Sequence, residues 1–164
     1  MTVLPAPLLE AARAAIGHHR ANHTMVTTAE SCTGGLVSAA LTSIAGSSAV
    51  LERGFVTYSN RAKTEMLGVP ASLIAAHGAV SAEVATAMAE GAITRSGAQA
   101  GVAVTGIAGP DGGSPEKPVG LVHFALAAQG QPTRCEQAIF SGDRDDIRLA
   151  AALFALDLLR QTRP

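Results

Sequence analysis

What most constrains the fold of this chain is a hydrophobic period that switches repeatedly between helical and extended values along its 164 residues. Leu8, Ala12 and Ile16 recur at helical spacing, which predicts a helix over residues 7–20. The β-branched run 25–30 reads as a strand. The helical period returns in Leu36, Val37, Ala40, Leu41 and Ile44, with Gly46 placed as a left-handed C-cap. A second strand over 50–58 precedes a short helix over 61–67, and Pro70 opens another helical turn that ends near Gly78. Ser81 caps the next helix, with Glu83 at the positive end of its dipole, and Gly97 ends it. Strands follow over 101–105, 121–127 and 133–140, and Asp143 caps a last helix reaching about residue 160.

The predicted order is therefore α-β-α-β-α-α-α-β-β-β-α. Alternation in the first half demands a parallel sheet flanked by helices, and the later run of strands demands at least one antiparallel partner. The expectation is a three-layer α/β/α sandwich with a mixed sheet of about five strands, all within one domain over 1–164. In the last helix Leu149, Leu153, Phe154, Leu156, Leu158 and Leu159 spread around much of the circumference, which suits either a helix buried on several sides or a subunit contact.

Hydrophobic residues make up 48% of the chain and charged ones 15%, with a formal net charge of −1, so nothing provides an electrostatic footprint for nucleic acid or anionic membrane. Two cysteines, Cys32 and Cys135, have no metal-ligand spacing around them, which favours a reducing compartment and no metal site. The first residues lack a basic, apolar leader, and no apolar run approaches the roughly 20 residues that cross a bilayer. A cytoplasmic protein is expected.

Four segments carry the candidate chemistry. Between the first strand and its helix lies Thr28-Ala29-Glu30-Ser31-Cys32-Thr33-Gly34-Gly35. Ligands of open α/β sheets bind outside the carboxyl ends of strands, where helix N-termini present N–H groups, and Ser31 would project there as a nucleophile. Its competing reading is a plain capped turn. The second segment, 57–63, contains Tyr58, Asn60 and Lys63. The chain has only two lysines, Lys63 and Lys117, so a serine activated by an amine must use one of them, because arginine keeps its proton. The third is the irregular connection 105–118, in which Gly106 and Gly109 would let backbone approach a ligand and Thr105 brings a hydroxyl, although 112–117 reads equally well as disordered. The fourth, 141–144, offers Arg144 as an anion fork beside the Asp143 cap. Ser48, in the turn after the second helix, is either a helix-end residue or a rival nucleophile.

These segments, together with 54–60, 77–81 and 117–120, occur in the order found in the C-terminal domain of the CinA family, which the chain resembles over nearly its whole length. That family comprises nicotinamide-nucleotide amidohydrolases. The resemblance implies hydrolysis of the carboxamide of nicotinamide mononucleotide to nicotinate mononucleotide and ammonia, without a cofactor. It further implies a sheet with one antiparallel strand, and a homodimer. Ser31 would be the nucleophile, Lys63 its base, and Tyr58 a proton relay or an orienter of Lys63. Backbone N–H groups of Thr33, Gly34 and Gly35 would form either the oxyanion hole or the phosphate site, with Thr105 to Gly109 taking the other role. Ser48, Asn60 and Arg144 would touch the substrate. The alternative class is a non-catalytic nucleotide-binding or competence-related interaction module. The extra N-terminal domain of longer members is not expected here, nor are its activities.

Overall fold

A computed structural model describes residues 3–162. Its elements run α1 (Ala6–Ala21), β1 (Val26–Glu30), α2 (Leu36–Thr42), β2 (Leu51–Val56), α3 (Asn60–Leu67), α4 (Ala71–His77), α5 (Ala82–Ser96), β3 (Ala100–Gly106), β4 (Leu121–Ala128), β5 (Arg134–Ile139) and α6 (Arg144–Arg160). Local signals fix most of the boundaries. Ser59 and Ser81 accept the Ala62 and Val84 N–H groups at the starts of α3 and α5, and left-handed Gly68 and Gly97 end the same helices. Asp143 and Asp146 form a reciprocal capping box at the start of α6.

Two boundaries differ from the expectation by more than a residue: β2 ends at Val56, short of 58, and α2 also ends early. Helix α2 stops at Thr42 with Ser43 as its C-cap, and Gly46, left-handed at φ 78°, instead opens a 3-10 turn over Ser47–Ala49. The hydroxyls of Thr42 and Ser43 donate to carbonyls of the preceding turn, which competes with continuing the helix.

The strand order is β2-β1-β3-β4-β5. Strands β2 and β3 both lie parallel to β1, while β4 is antiparallel to β3 and β5, so β4 alone runs against the rest. The chain leaves β1 towards β2 on one side, then crosses back beyond β1 to β3. Crossovers of one hand that travel in opposite directions place their helices on opposite faces. Accordingly, Val37 and Leu41 of α2 join α1 and α6 in one apolar layer, while Met88 and Ala92 of α5 join the ends of α3 and α4 in the other. Leu156, Leu158 and Leu159 of α6 are buried and Leu149, Leu153 and Phe154 pack against the same layer, so that helix spends its apolar circumference in the core. This topology also creates a switch point at the carboxyl ends of β1 and β3, where the connections diverge and a crevice opens.

Candidate active site

The carboxyl ends of the three parallel strands deliver Glu30-Ser31, Thr57-Tyr58 and Thr105-Gly106 to one edge of the sheet. A crevice of about 210 Å³ opens there, lined by Ser31, Tyr58, Asn60, Lys63, Thr105, Gly106 and Arg144 among others. Six of the substrate and catalytic candidates therefore sit with Ser31 around one cavity. Cys32 also lines it, as do Ala79, Val80 and Ala108, and none of these last three has a side chain that would single it out in sequence.

Lys63 is 1% exposed, and its Nζ lies 2.9 Å from Ser31 Oγ, 2.9 Å from the Thr57 carbonyl and 3.5 Å from the Tyr58 carbonyl. The helix phase of α3 brings it there: Ser59 caps the helix, which turns Lys63 inward one turn later. Burial pushes the Lys63 amine below its ordinary value, opposed by the neighbouring Cys32. Cys32 itself is buried, and its thiol is pushed up to about 11, chiefly by desolvation, which makes it a poor nucleophile. The other lysine, Lys117, donates to the His77 and Val80 carbonyls at 2.7 Å and holds the loop behind the crevice.

Three expectations need correction. Thr33, Gly34 and Gly35 are not among the residues that line the crevice, and the Gly34 and Gly35 N–H groups and the Thr33 hydroxyl are taken. The Glu30 carboxylate, wholly buried, curls under the start of α2 and accepts from Thr33 Oγ1 (2.7 Å), Gly35 N (3.0 Å), Val37 N (3.0 Å), Ser38 N (2.8 Å) and Ser38 Oγ (2.8 Å), while Gly34 N donates to the Ser31 carbonyl. An internal anion thus occupies the place expected for an external one. Ser48 lies in the 3-10 turn that precedes β2, at the amino edge of the sheet, a strand length from the crevice. Tyr58 is 62% exposed, and its hydroxyl accepts from Arg144 Nη2 at 3.0 Å rather than meeting Lys63, so only its backbone carbonyl touches the amine.

Arg144 bridges the rim. Its Nη1 donates to the Gly109 carbonyl at 2.7 Å, so Gly109 contributes by anchoring this guanidinium. A neighbouring groove shares Ala108 and Arg144 with the crevice and runs past Gly142, Asp143 and Asp145. Asp143 is consumed as the α6 cap, leaving Arg144 as the cation facing both cavities. Arg148 donates from Nε to the Cys32 carbonyl (3.3 Å) and from Nη2 to the Thr33 carbonyl (3.2 Å), pinning the turn after the serine. Glu30 and Arg148 are the two supporting residues that the sequence reading missed. Among the described residues, no group of three or more His, Cys, Asp or Glu side chains is arranged to hold a metal ion.

A second cavity of about 230 Å³ lies at the opposite, amino edge of β1 and β3, between His18, His19, Gln99, Gln129 and Thr162. His19 there meets Thr24 Oγ1 and the Leu159 carbonyl, with Thr162 Oγ1 3.3 Å from its Nε2, and Gln99, Gln129 and Asn22 supply amides to the lining. The candidate residues read from the sequence gather instead at the carboxyl edge.

Residues 9–163 match the model of the CinA C-terminal domain. The chain belongs to the CinA C-terminal domain family. A CinA-like protein of Citrifermentans bemidjiense is 60% identical over 133 residues, covering 81% of this chain and 32% of that protein. A putative competence-damage inducible protein of Symbiobacterium thermophilum is 54% identical over 156 residues, 90% of this chain and 37% of its own length. The chain therefore spans about a third of the length of these relatives. The crystal structure of the competence/damage inducible protein CihA from Agrobacterium tumefaciens superposes with a TM-score of 0.94 at 51% identity, covering 97% of both chains. The competence damage-inducible protein A of Klebsiella pneumoniae gives 0.90 at 37% identity over 94% of this chain and 96% of its own. The α/β architecture with a five-stranded mixed sheet is thus that of CinA-domain structures. Among the described residues, no helix of this CinA domain is long and apolar enough to cross a membrane.

Proposed function

We propose that this chain is an amidohydrolase that removes ammonia from the carboxamide of nicotinamide mononucleotide, working in the cytoplasm as a homodimer, with Ser31 as nucleophile and Lys63 as general base. The observation that carries the chemistry is the 2.9 Å contact between Lys63 Nζ and Ser31 Oγ inside a buried pocket whose other polar neighbours of the amine are carbonyls.

The proton inventory accommodates this reading: the three donors of the charged amine match Ser31 Oγ and the Thr57 and Tyr58 carbonyls, and loss of one proton frees a lone pair towards Ser31 Oγ. A charged lysine amine has three donors and no acceptor, whereas carbonyls can only accept. A neutral amine meets the Thr57 and Tyr58 carbonyls with its two protons and turns its lone pair on Ser31 Oγ. Burial favours that neutral form. Ser31 Oγ then attacks the carboxamide carbon as its proton passes to Lys63. The tetrahedral adduct breaks its C–N bond, and the proton returns from Lys63 to the departing nitrogen, giving ammonia and an acyl-serine ester. Water attacks the ester by the same route, its proton passing through Lys63 to Ser31 Oγ, and releases the acid. Gly106 and Ala108 line the side of the crevice left for the developing oxyanion, and Arg144 faces the groove where a phosphate would lie.

The test is to incubate the purified protein with nicotinamide mononucleotide, with and without a chelator, and to assay ammonia and phosphate. Chelator-insensitive ammonia release, lost in Ser31→Ala with an unchanged melting curve, is the expected result. Saturable binding without ammonia would make the chain a non-catalytic nucleotide-binding module, in keeping with the competence names of its relatives. Light scattering across a concentration series tests the dimer.

A further inference from the structure

Three segments singled out in the sequence meet directly behind Ser31. Lys117 Nζ donates to the His77 and Val80 carbonyls, both at 2.7 Å, and Ser81 Oγ donates to the Gly78 carbonyl at 2.9 Å. The loop can make this approach because Gly78 is left-handed at φ 77°, and a Cβ there would stand 3.0 Å from Lys117 Nζ. So held, the loop presents the Ala79 carbonyl to Thr105, whose hydroxyl donates to it at 2.8 Å.

Thr105 is 1% exposed and lines the crevice together with Ser31 and Lys63. Ser31 N–H donates to the Val104 carbonyl at 2.9 Å, so Ser31 and Thr105 end adjacent strands, about 5 Å apart. A hydroxyl has one proton and two lone pairs. With the proton committed to Ala79, Thr105 offers the crevice acceptors only.

We infer that Thr105 selects a primary carboxamide over the matching carboxylate, by accepting a hydrogen bond from the amide nitrogen beside Ser31, with Lys117 as the positioning residue that fixes its polarity. This rests on the amidohydrolase reading above. An amide brings two N–H donors to that point. A carboxylate brings only lone pairs, which face those of Thr105 unpaired. Sites built to bond a substrate N–H discriminate strongly against an analogue without it. Hydrolysis replaces the donor with an acceptor, so the same residue that admits the substrate disfavours the product.

The experiment compares binding of nicotinamide mononucleotide and nicotinate mononucleotide by calorimetry in a Ser31→Ala background, where neither ligand turns over. The amide is expected to bind about tenfold tighter or more, the ratio one well-placed hydrogen bond supports. Adding Thr105→Val, which keeps the shape and removes the lone pairs, brings the ratio to within about threefold, whereas Thr105→Ser preserves it. Wild-type turnover is measured first, and an absence of ammonia overturns the amidohydrolase reading itself. With turnover present, a ratio unmoved by Thr105→Val overturns the assignment of Thr105 and leaves the reaction standing. If Thr105→Val fails to fold, Lys117→Met decides. Loss of the loop anchor is expected to raise KM for the amide and lower the amide-to-acid ratio with kcat little changed, and an unchanged ratio overturns the inference.

Discussion

In the proposed reaction Lys63 couples burial to reactivity, and its behaviour with pH follows from the sign of one shift. Desolvation lowers its pKa from the ordinary 10.5, so the amine is a proton acceptor only above that lowered value. The profile of kcat/KM should therefore rise with pH on a limb whose midpoint lies below 10.5. Lys63→Arg keeps the charge and cannot act as a base, so the limb should vanish and activity fall by roughly 10²–10⁴. The same shift acts on stability. Between the lowered folded value and 10.5 the unfolded chain binds more protons, so stability rises with pH across that window, and Lys63→Met should flatten the rise in denaturant titrations. In Thr57, whose carbonyl meets this lysine, Oγ1 is, among the described residues, the one buried side-chain polar atom without a hydrogen-bond partner. Thr57→Val removes an unpaid desolvation of about 1 kcal/mol while leaving the carbonyl that meets Lys63, so Tm should rise by roughly 2–4 °C, as calorimetry can check. Ser31 and Lys63 were legible because a chain with ten arginines has so few lysines to offer. Thr57 was not, since an orphaned hydroxyl reads in sequence like any strand threonine.

The turn from β1 into α2 shows why an element can be read correctly and its chemistry misread. Glycines, hydroxyls and a helix start announce an anion site, and the site exists, but Glu30 fills it from within the chain. No side-chain pattern marks this, because the partners are backbone N–H groups five to eight residues onward that meet the carboxylate only once α2 has folded back over it. Gly54 on the neighbouring strand makes the room. A Cβ there would stand 2.1 Å from Ser38 Oγ and 2.8 Å from Thr28 Oγ1, both partners in the carboxylate's network. Glu30→Gln exchanges one accepting oxygen for a donor amide aimed at other donors, and should destabilise the fold by about 2–4 kcal/mol in urea titrations. Gly54→Ala should act in the same direction through the same network. Because the turn also sets the Ser31 backbone, both variants should lower kcat more than KM wherever they remain folded. The other helices were bounded correctly because their signals are local: Ser59, Ser81 and Asp143 each cap through their own side chain.

The molecule divides its labour between the two edges of one sheet. The carboxyl edge gathers the reactive groups, and the amino edge holds the two outer helices of one layer together. At that second edge His19, 1% exposed, uses Nε2 to bond the Leu159 carbonyl at 2.8 Å and Nδ1 to meet Thr24 Oγ1 at 2.7 Å, tying α1 and the β1 approach to the end of α6. A carbonyl accepts only, so Nε2 carries a proton towards Leu159. The layered architecture was legible from period alone, but this clasp was not: adjacent His18 and His19 look alike in sequence, and only the packing of α6 buries one of them. Burial, aided by the nearby His18, lowers the His19 pKa below 6.5. The sign is then fixed. From the lowered folded value up to 6.5 the unfolded chain binds the extra proton, so stability is reduced at acid pH and recovers as pH rises through that window. His123, also lowered by burial, adds a slope of the same sign. Urea midpoints should therefore fall as pH drops from about 7 to 5. His19→Gln, which keeps a donor for Leu159 and cannot titrate, should start lower at neutral pH and fall less steeply. Ammonia release at neutral pH should stay near wild type in that variant, because its lesion lies a full strand length from Ser31. A variant whose stability kept the wild-type slope would show that the clasp titrates elsewhere.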